Sequence, residues 1–193
     1  MERLKPLATL TTPDSRQSAS SVLDPLTGCF RQVEIGDVYN FANAITLHEG
    51  VPEDVRTHFA TALNLIAYSW FYYPFNVTAQ FIAYVSVESA LKLRFAVTGK
   101  SSFSDLVKRA VREGLVKDSG FAHAALFQHH QLPPELEFFE MAPAEVSPYV
   151  DTLVQIMPYL RNSLAHGSPM LHPHGASHVQ VCGEFINQLF PPP

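Results

Sequence analysis

The chain has 193 residues, 47% of them hydrophobic and 16% charged, and a formal net charge of −5. That length suits one domain, or one domain with extensions, able to bury a core of its own. The acidic balance argues against a nucleic-acid binder that works by bulk positive charge, but not against a nuclease with a small local patch.

Cys29 and Cys182 are the two cysteines. They are far apart and outside any CxxC pair, so neither a disulfide framework nor a cysteine-zinc site is expected. The segment Met1-Glu2-Arg3-Leu4-Lys5-Pro6 leads into no apolar signal-peptide core, which makes a cytoplasmic protein the expectation. Residues 1–35, rich in Pro, Ser, Thr and Asp without helical periodicity, read as an irregular N-terminal arm; residues 36–193 read as the folded domain.

From there the signals are helical. Val38, Phe41, Ala42 and Ile45 mark a short amphipathic helix closed by Gly50. Pro52-Glu53-Asp54 opens a second, with proline in its first turn and two acids at the positive end of the dipole; it is expected to run to about residue 73. A third is expected over about 76–98, ending at Gly99, and a fourth over about 102–116. Between Thr57 and Val87 there is no Asp, Glu, Lys or Arg. The run is broken at Tyr73-Pro74-Phe75-Asn76 and carries Asn64, Ser69, Thr78 and Gln80, so two buried helices explain it better than a membrane span.

Residues 121–127 form a further helical candidate, and 135–143 read as loop. Ser147-Pro148 supplies an N-cap and a first-turn proline for a helix with Val150, Leu153, Val154, Met157 and Leu160 at spacings of three and four; Pro158 in its interior predicts a kink. A last helix is expected over about 176–190. With no strand-like alternation of useful length and no internal repeat, the predicted fold is all-α: an up-and-down antiparallel helical bundle preceded by the arm.

The chemistry concentrates in Arg161-Asn162-Ser163-Leu164-Ala165-His166-Gly167. A permanent cation, an amide and a group that titrates near neutrality sit at one helix end, stopped by glycine. Asn162 and His166 are one turn apart, so the amide can reach the imidazole and fix its tautomer. Arg161 and His166 are separated by about 140° around an ideal helix, so one helix aims them to different sides. Two copies meeting across a two-fold axis would bring both residue types to one cleft, which predicts a homodimer. Arg161 would then pair with a phosphate, while His166 would give a proton to a leaving oxygen or take one from a ribose 2′-hydroxyl. The plainer reading is a helix C-terminus with a cation near the dipole and a capping glycine.

Leu160–Gly167, late in an all-α chain and followed by a loop and a last helix, resembles the signature of the HEPN superfamily (higher eukaryotes and prokaryotes nucleotide-binding domain): an arginine, commonly followed by asparagine, then a histidine four to six residues on. Phe81–Phe95 is similar to the long core helix of such proteins, and the likeness covers about residues 53–190. The resemblance implies a helical bundle that dimerises and places both motifs in a shared cleft. It implies a metal-independent endoribonuclease, a toxin or defence effector, acting on RNA and leaving a 2′,3′-cyclic phosphate, in some members paired with a nucleotidyltransferase-type antitoxin. It equally allows a catalytically silent module that binds a nucleotide, RNA or a partner protein. Arg161, Asn162 and His166 are the catalytic candidates, and no cofactor and no metal are expected.

Glu88 falls in the middle of an apolar stripe made by Phe81, Tyr84, Val85, Leu91 and Phe95, where an unpaired carboxylate is costly. Lys92, one turn on, is its local partner; Arg161 is the alternative, and a Glu88–Arg161 pair would hold the guanidinium in position. His166, His172, His174 and His178 lie within thirteen residues. They read as loop histidines, as extra RNA contacts at His172 and His174, or as a zinc or nickel site. Lys108, Arg109 and Arg112 form either a solvated face or a contact to an RNA backbone. Trp70 to Tyr73 read as core or dimer interface. A P-loop, a dinucleotide fingerprint, a nucleophile elbow and an HExxH helix do not occur.

Overall fold

The computed structural model describes residues 4–124, 148–167 and 175–193. Among the described residues from Ile35 onward the architecture is helical: α1 (Ile35–Ala44), α2 (Glu53–Tyr68), α3 (Phe75–Arg94), α4 (Phe103–Arg112), α5 (Tyr149–Ala165) and α6 (Gly175–Leu189). α3 is the central element, packed against α2, α4, α5 and α6. Its Ala79, Ala83 and Ala90 are wholly buried, and small side chains there let neighbouring helices approach closely. Around it stand Val55, Phe59, Ala62 and Ile66 of α2, Leu153 and Met157 of α5, and Val179, Phe185, Ile186 and Leu189 of α6, forming one continuous core. The close approach of α6 to α3 is visible at Gly175, where a Cβ would stand 2.7 Å from the Asn76 carbonyl oxygen. The uncharged stretch from 57 to 87 is therefore helical hairpin and core, and among the described residues no helix is long and apolar enough to cross a membrane.

The helix starts agree with the local sequence more closely than the stops do. Ser102 caps α4 through Asp105 N–H (3.3 Å), and Glu53 and Asp54 occupy the first turn of α2. α2 ends at Tyr68, not near residue 73, and the backbone just beyond it pairs with the arm. Gln17 Nε2 donates to the Ser69 carbonyl (3.1 Å) and Asp14 N–H to that of Trp70 (2.9 Å). Lys5 Nζ donates to that of Phe71 (2.8 Å). Trp70 to Tyr73 are thus half-buried anchors for the arm.

α3 ends at Arg94, four residues short of the expected stop. Ala96 adopts φ +50°, with its N–H on Leu93 O and the Val97 N–H on Lys92 O, a Schellman closure built on alanine instead of glycine. α4 closes in the same way at Gly114 (φ +69°), before the expected residue 116.

The arm is more ordered than its composition suggests. It holds 3-10 turns at Leu7–Thr9 and Ser15–Ala19, then a small antiparallel hairpin of β1 (Ser21–Leu23) and β2 (Phe30–Gln32), with Val22 opposite Arg31. Strands of three residues are too short to leave an alternation in the sequence. Asp14 secures the arm by accepting from Arg16 and from Tyr73 N–H (2.9 Å). The helical candidate at 121–127 extends beyond the described residues, and the loop expected at 135–143 lies wholly outside them.

Candidate Arg–His site

α5 carries the motif, and its N-terminal end is fixed from outside the helix. Asp118, in the 3-10 turn Asp118–Gly120, accepts hydrogen bonds from Tyr149 N–H (3.0 Å) and Val150 N–H (2.9 Å). It satisfies two of the amides that a helix start leaves open. Pro148 is the residue at the cap, and Ser147 lies outside the described residues. α5 continues through Pro158, which has no N–H for the carbonyl one turn back, and ends at Ala165 with Gly167 at φ +80°. The glycine stop read from the motif is therefore where the backbone turns left-handed.

Arg161 points inward. Its Nη2 donates to Glu88 Oε2 at 2.6 Å, across 73 residues of sequence, while Lys92 Nζ donates to Glu88 Oε1 at 2.7 Å. The two partners weighed for Glu88 are thus both present, one on each carboxylate oxygen. Glu88 is 8% exposed and sits on the face of α3 that meets α5. Burial alone would raise its pKa. The Lys92 hydrogen bond, and then the charge and hydrogen bond of Arg161, outweigh this and hold the carboxyl below its ordinary value. Arg161 Nη1 donates to Asn162 Oδ1 (3.1 Å), and Arg161 Nε is shut off from solvent with no partner among the described residues.

Asn162 accordingly serves the arginine. Among the described residues its amide does not engage the His166 ring, contrary to the expectation from the one-turn spacing; its Oδ1 accepts from the guanidinium beside it. The link between the two residues is the backbone bond from His166 N–H to the Asn162 carbonyl (3.0 Å). His166 is exposed at the C-cap of α5, and among the described residues nothing hydrogen-bonds its ring. Within one chain, then, the guanidinium is half-buried against α3 and the imidazole faces solvent at the helix end. They are neighbours along α5 but not partners.

The remaining candidates separate. Arg109 is held by Glu113 (2.7 Å) and lies over the Phe95 ring at 4.0 Å, whereas Lys108 and Arg112 are exposed on α4. His172 and His174 lie outside the described residues. His178 turns toward the core, its Nδ1 3.1 Å from the Tyr84 hydroxyl, which also accepts from Gln80 Nε2 (3.3 Å). Among the described residues no three His, Cys, Asp or Glu side chains stand close enough together to hold a metal ion.

Asp118 is the residue that sequence reading missed. Its only local signal is a carboxylate next to Ser119-Gly120, and its target lies some thirty residues further on. No family model, no curated protein and no solved structure matches this chain.

Proposed function

We propose that this protein is a metal-independent endoribonuclease of HEPN type, acting as a homodimer whose two α5 helices line one RNA-binding cleft. The observation that carries the reading is the Glu88–Arg161 pair, in which a buried carboxylate fixes a guanidinium beside an exposed helix-terminal histidine. Glu88 and Asn162 each take one N–H of Arg161, and the guanidinium's remaining outer donors are free for two oxygens of a phosphate. His166, brought beside the Arg161 of a second copy, would take the proton of the ribose 2′-hydroxyl. As the 2′-oxygen bonds to phosphorus, the bond to the 5′-oxygen breaks and that oxygen receives a proton from the second imidazole. Arg161 offsets the negative charge that grows on the phosphoryl oxygens. The products are a 2′,3′-cyclic phosphate and a 5′-hydroxyl. Lys108 and Arg112, with His172 and His174, are the candidate contacts to the RNA backbone, and a nucleotidyltransferase-type antitoxin is the candidate protein partner.

The test is cleavage of end-labelled RNA in EDTA by wild type, Arg161→Ala and His166→Ala. Cleavage is expected from wild type alone, with each substitution lowering the rate by at least about 100-fold, the scale of a lost general acid–base. Equal cleavage by wild type and His166→Ala would remove the imidazole from the mechanism.

A second reading draws on the same ion pair. A guanidinium already neutralised by Glu88 suits a silent module that binds a nucleotide, RNA or a partner protein. Tight RNA binding with no turnover would select it.

A further inference from the structure

Away from the motif, a cleft of about 400 Å3 opens between α1, the 45–47 loop and α2. Ala42, Ile45 and Phe59, all buried, line it together with Ala60, Leu63 and Ala67. Tyr39, Asn43, Thr46, Arg56 and Asn64 supply its polar groups, and no Asp or Glu is among its lining residues. Arg56 stands out in this setting. It is half-buried, and its Nε is shut off from solvent without a hydrogen-bond partner. Among the described residues it forms no ion pair, not even with Glu53 three residues before it on α2. Nε itself, closed to solvent, is out of a ligand's reach; the outer guanidinium nitrogens, which make no hydrogen bond among the described residues, are the donors that a ligand in the cleft can meet.

We propose that this cleft is a binding site for a small organic monocarboxylate with an apolar body. The chemistry follows from the lining. A single guanidinium matches one carboxylate in bidentate fashion. No second cation lines the cleft to neutralise a phosphate dianion. The apolar side of the cleft takes the hydrocarbon part. Asn64 Nδ2 is bound to the Ala60 carbonyl (2.8 Å), which holds that amide in a fixed orientation at the rim. A volume of about 400 Å3 falls within the range of roughly 300–1,000 Å3 usual for small-molecule sites. None of Glu88, Arg161, Asn162 or His166 lines this cleft, so the site stands or falls independently of RNA cleavage.

Octanoate and 3-phenylpropionate, with 3-phenylpropanamide as the uncharged isostere, are the probes. They would be titrated into the full chain by calorimetry and by NMR of the Arg56 Nε–H and the Leu63 methyl groups. Expected are saturable shifts at both positions with at least one acid, and binding at least tenfold weaker for the amide and for Arg56→Gln. Ala60→Trp, an exposed helix position at the cleft, should block binding with the fold intact by circular dichroism, which guards against a misfolded Arg56 variant. The proposal is overturned if neither acid saturates, if acid and amide bind alike, or if the shifts lie away from Arg56 and Leu63.

Discussion

Replacing Glu88 tests the one tertiary ion pair on which the motif's geometry rests. The carboxylate side chain is 11% exposed, Arg161 29% and Lys92 42%. Removing one partner of a fully buried pair costs about 3–5 kcal/mol, because the charge left behind has neither water nor a counter-ion. Arg161 keeps some access to water, so Glu88→Ala should fall at about 2–4 kcal/mol, near the worth of a hydrogen bond to a charged group plus part of that penalty. The more exposed Lys92 contributes little, and Lys92→Met should cost about 0.5 kcal/mol or less, as for other i,i+4 pairs near the surface.

Urea denaturation of the single and double Ala variants at 88 and 161 closes a double-mutant cycle, with an expected coupling of about 1–3 kcal/mol. Acid gives an independent readout. The folded carboxyl is held below its ordinary 4.5, so on acidification the unfolded chain takes up the proton first. The stabilisation is complete above about pH 4.5 and disappears as pH falls through the lower, folded-state value. The stability gap between wild type and Glu88→Gln should therefore be flat above pH 4.5 and close below it. Coupling inside the additivity error of about 0.3–0.5 kcal/mol, together with a pH-independent gap, would refute the view that Glu88 holds Arg161 in place.

Two further outcomes probe how the helices are bounded. Asp118→Ala should destabilise the fold by about 1–2 kcal/mol, the cost of a lost N-cap, and hydrogen exchange should speed up first at Tyr149 and Val150, whose amides it binds. Unchanged exchange at those two amides would mean the cap is not sustained in solution. Ala96→Gly should stabilise the protein by about 1 kcal/mol, because a left-handed residue is strained with a Cβ and not without one. Thermal unfolding measures it, and a loss of stability would contradict the φ of +50° at that position.

How much of this was legible in the sequence depends on how far each signal acts along the chain. Helix starts were readable because their causes are local: the acids and proline at 52–54 lie within a turn of the helix they begin. Stops were less readable. The backbone beyond α2 pairs with the arm more than fifty residues earlier, and α3 ends at a left-handed alanine that no rule of composition selects. The Asp118 cap, reaching a helix start thirty residues later, left no pattern at all. Glu88 was the informative exception. A carboxylate in an apolar stripe has to find a cation, and the cations within reach were Lys92 by spacing and Arg161 by chemistry. The structure satisfies one with each oxygen.

That sharing bears on the motif itself. A lone arginine at position 161 would have a long side chain free to sample many rotamers, and binding a phosphate would first require ordering it. Tied to a residue of the central helix, the guanidinium is ordered before any ligand arrives, and Asn162 adds a second tie from the adjacent position. His166 has the opposite character, exposed at the last turn of α5 and held only through the backbone. A fixed guanidinium and an accessible imidazole are what the proposed phosphodiester cleavage asks for. The separation of about 140° between them around α5 is what makes the proposed reading require a second copy of the helix to bring both to one phosphate.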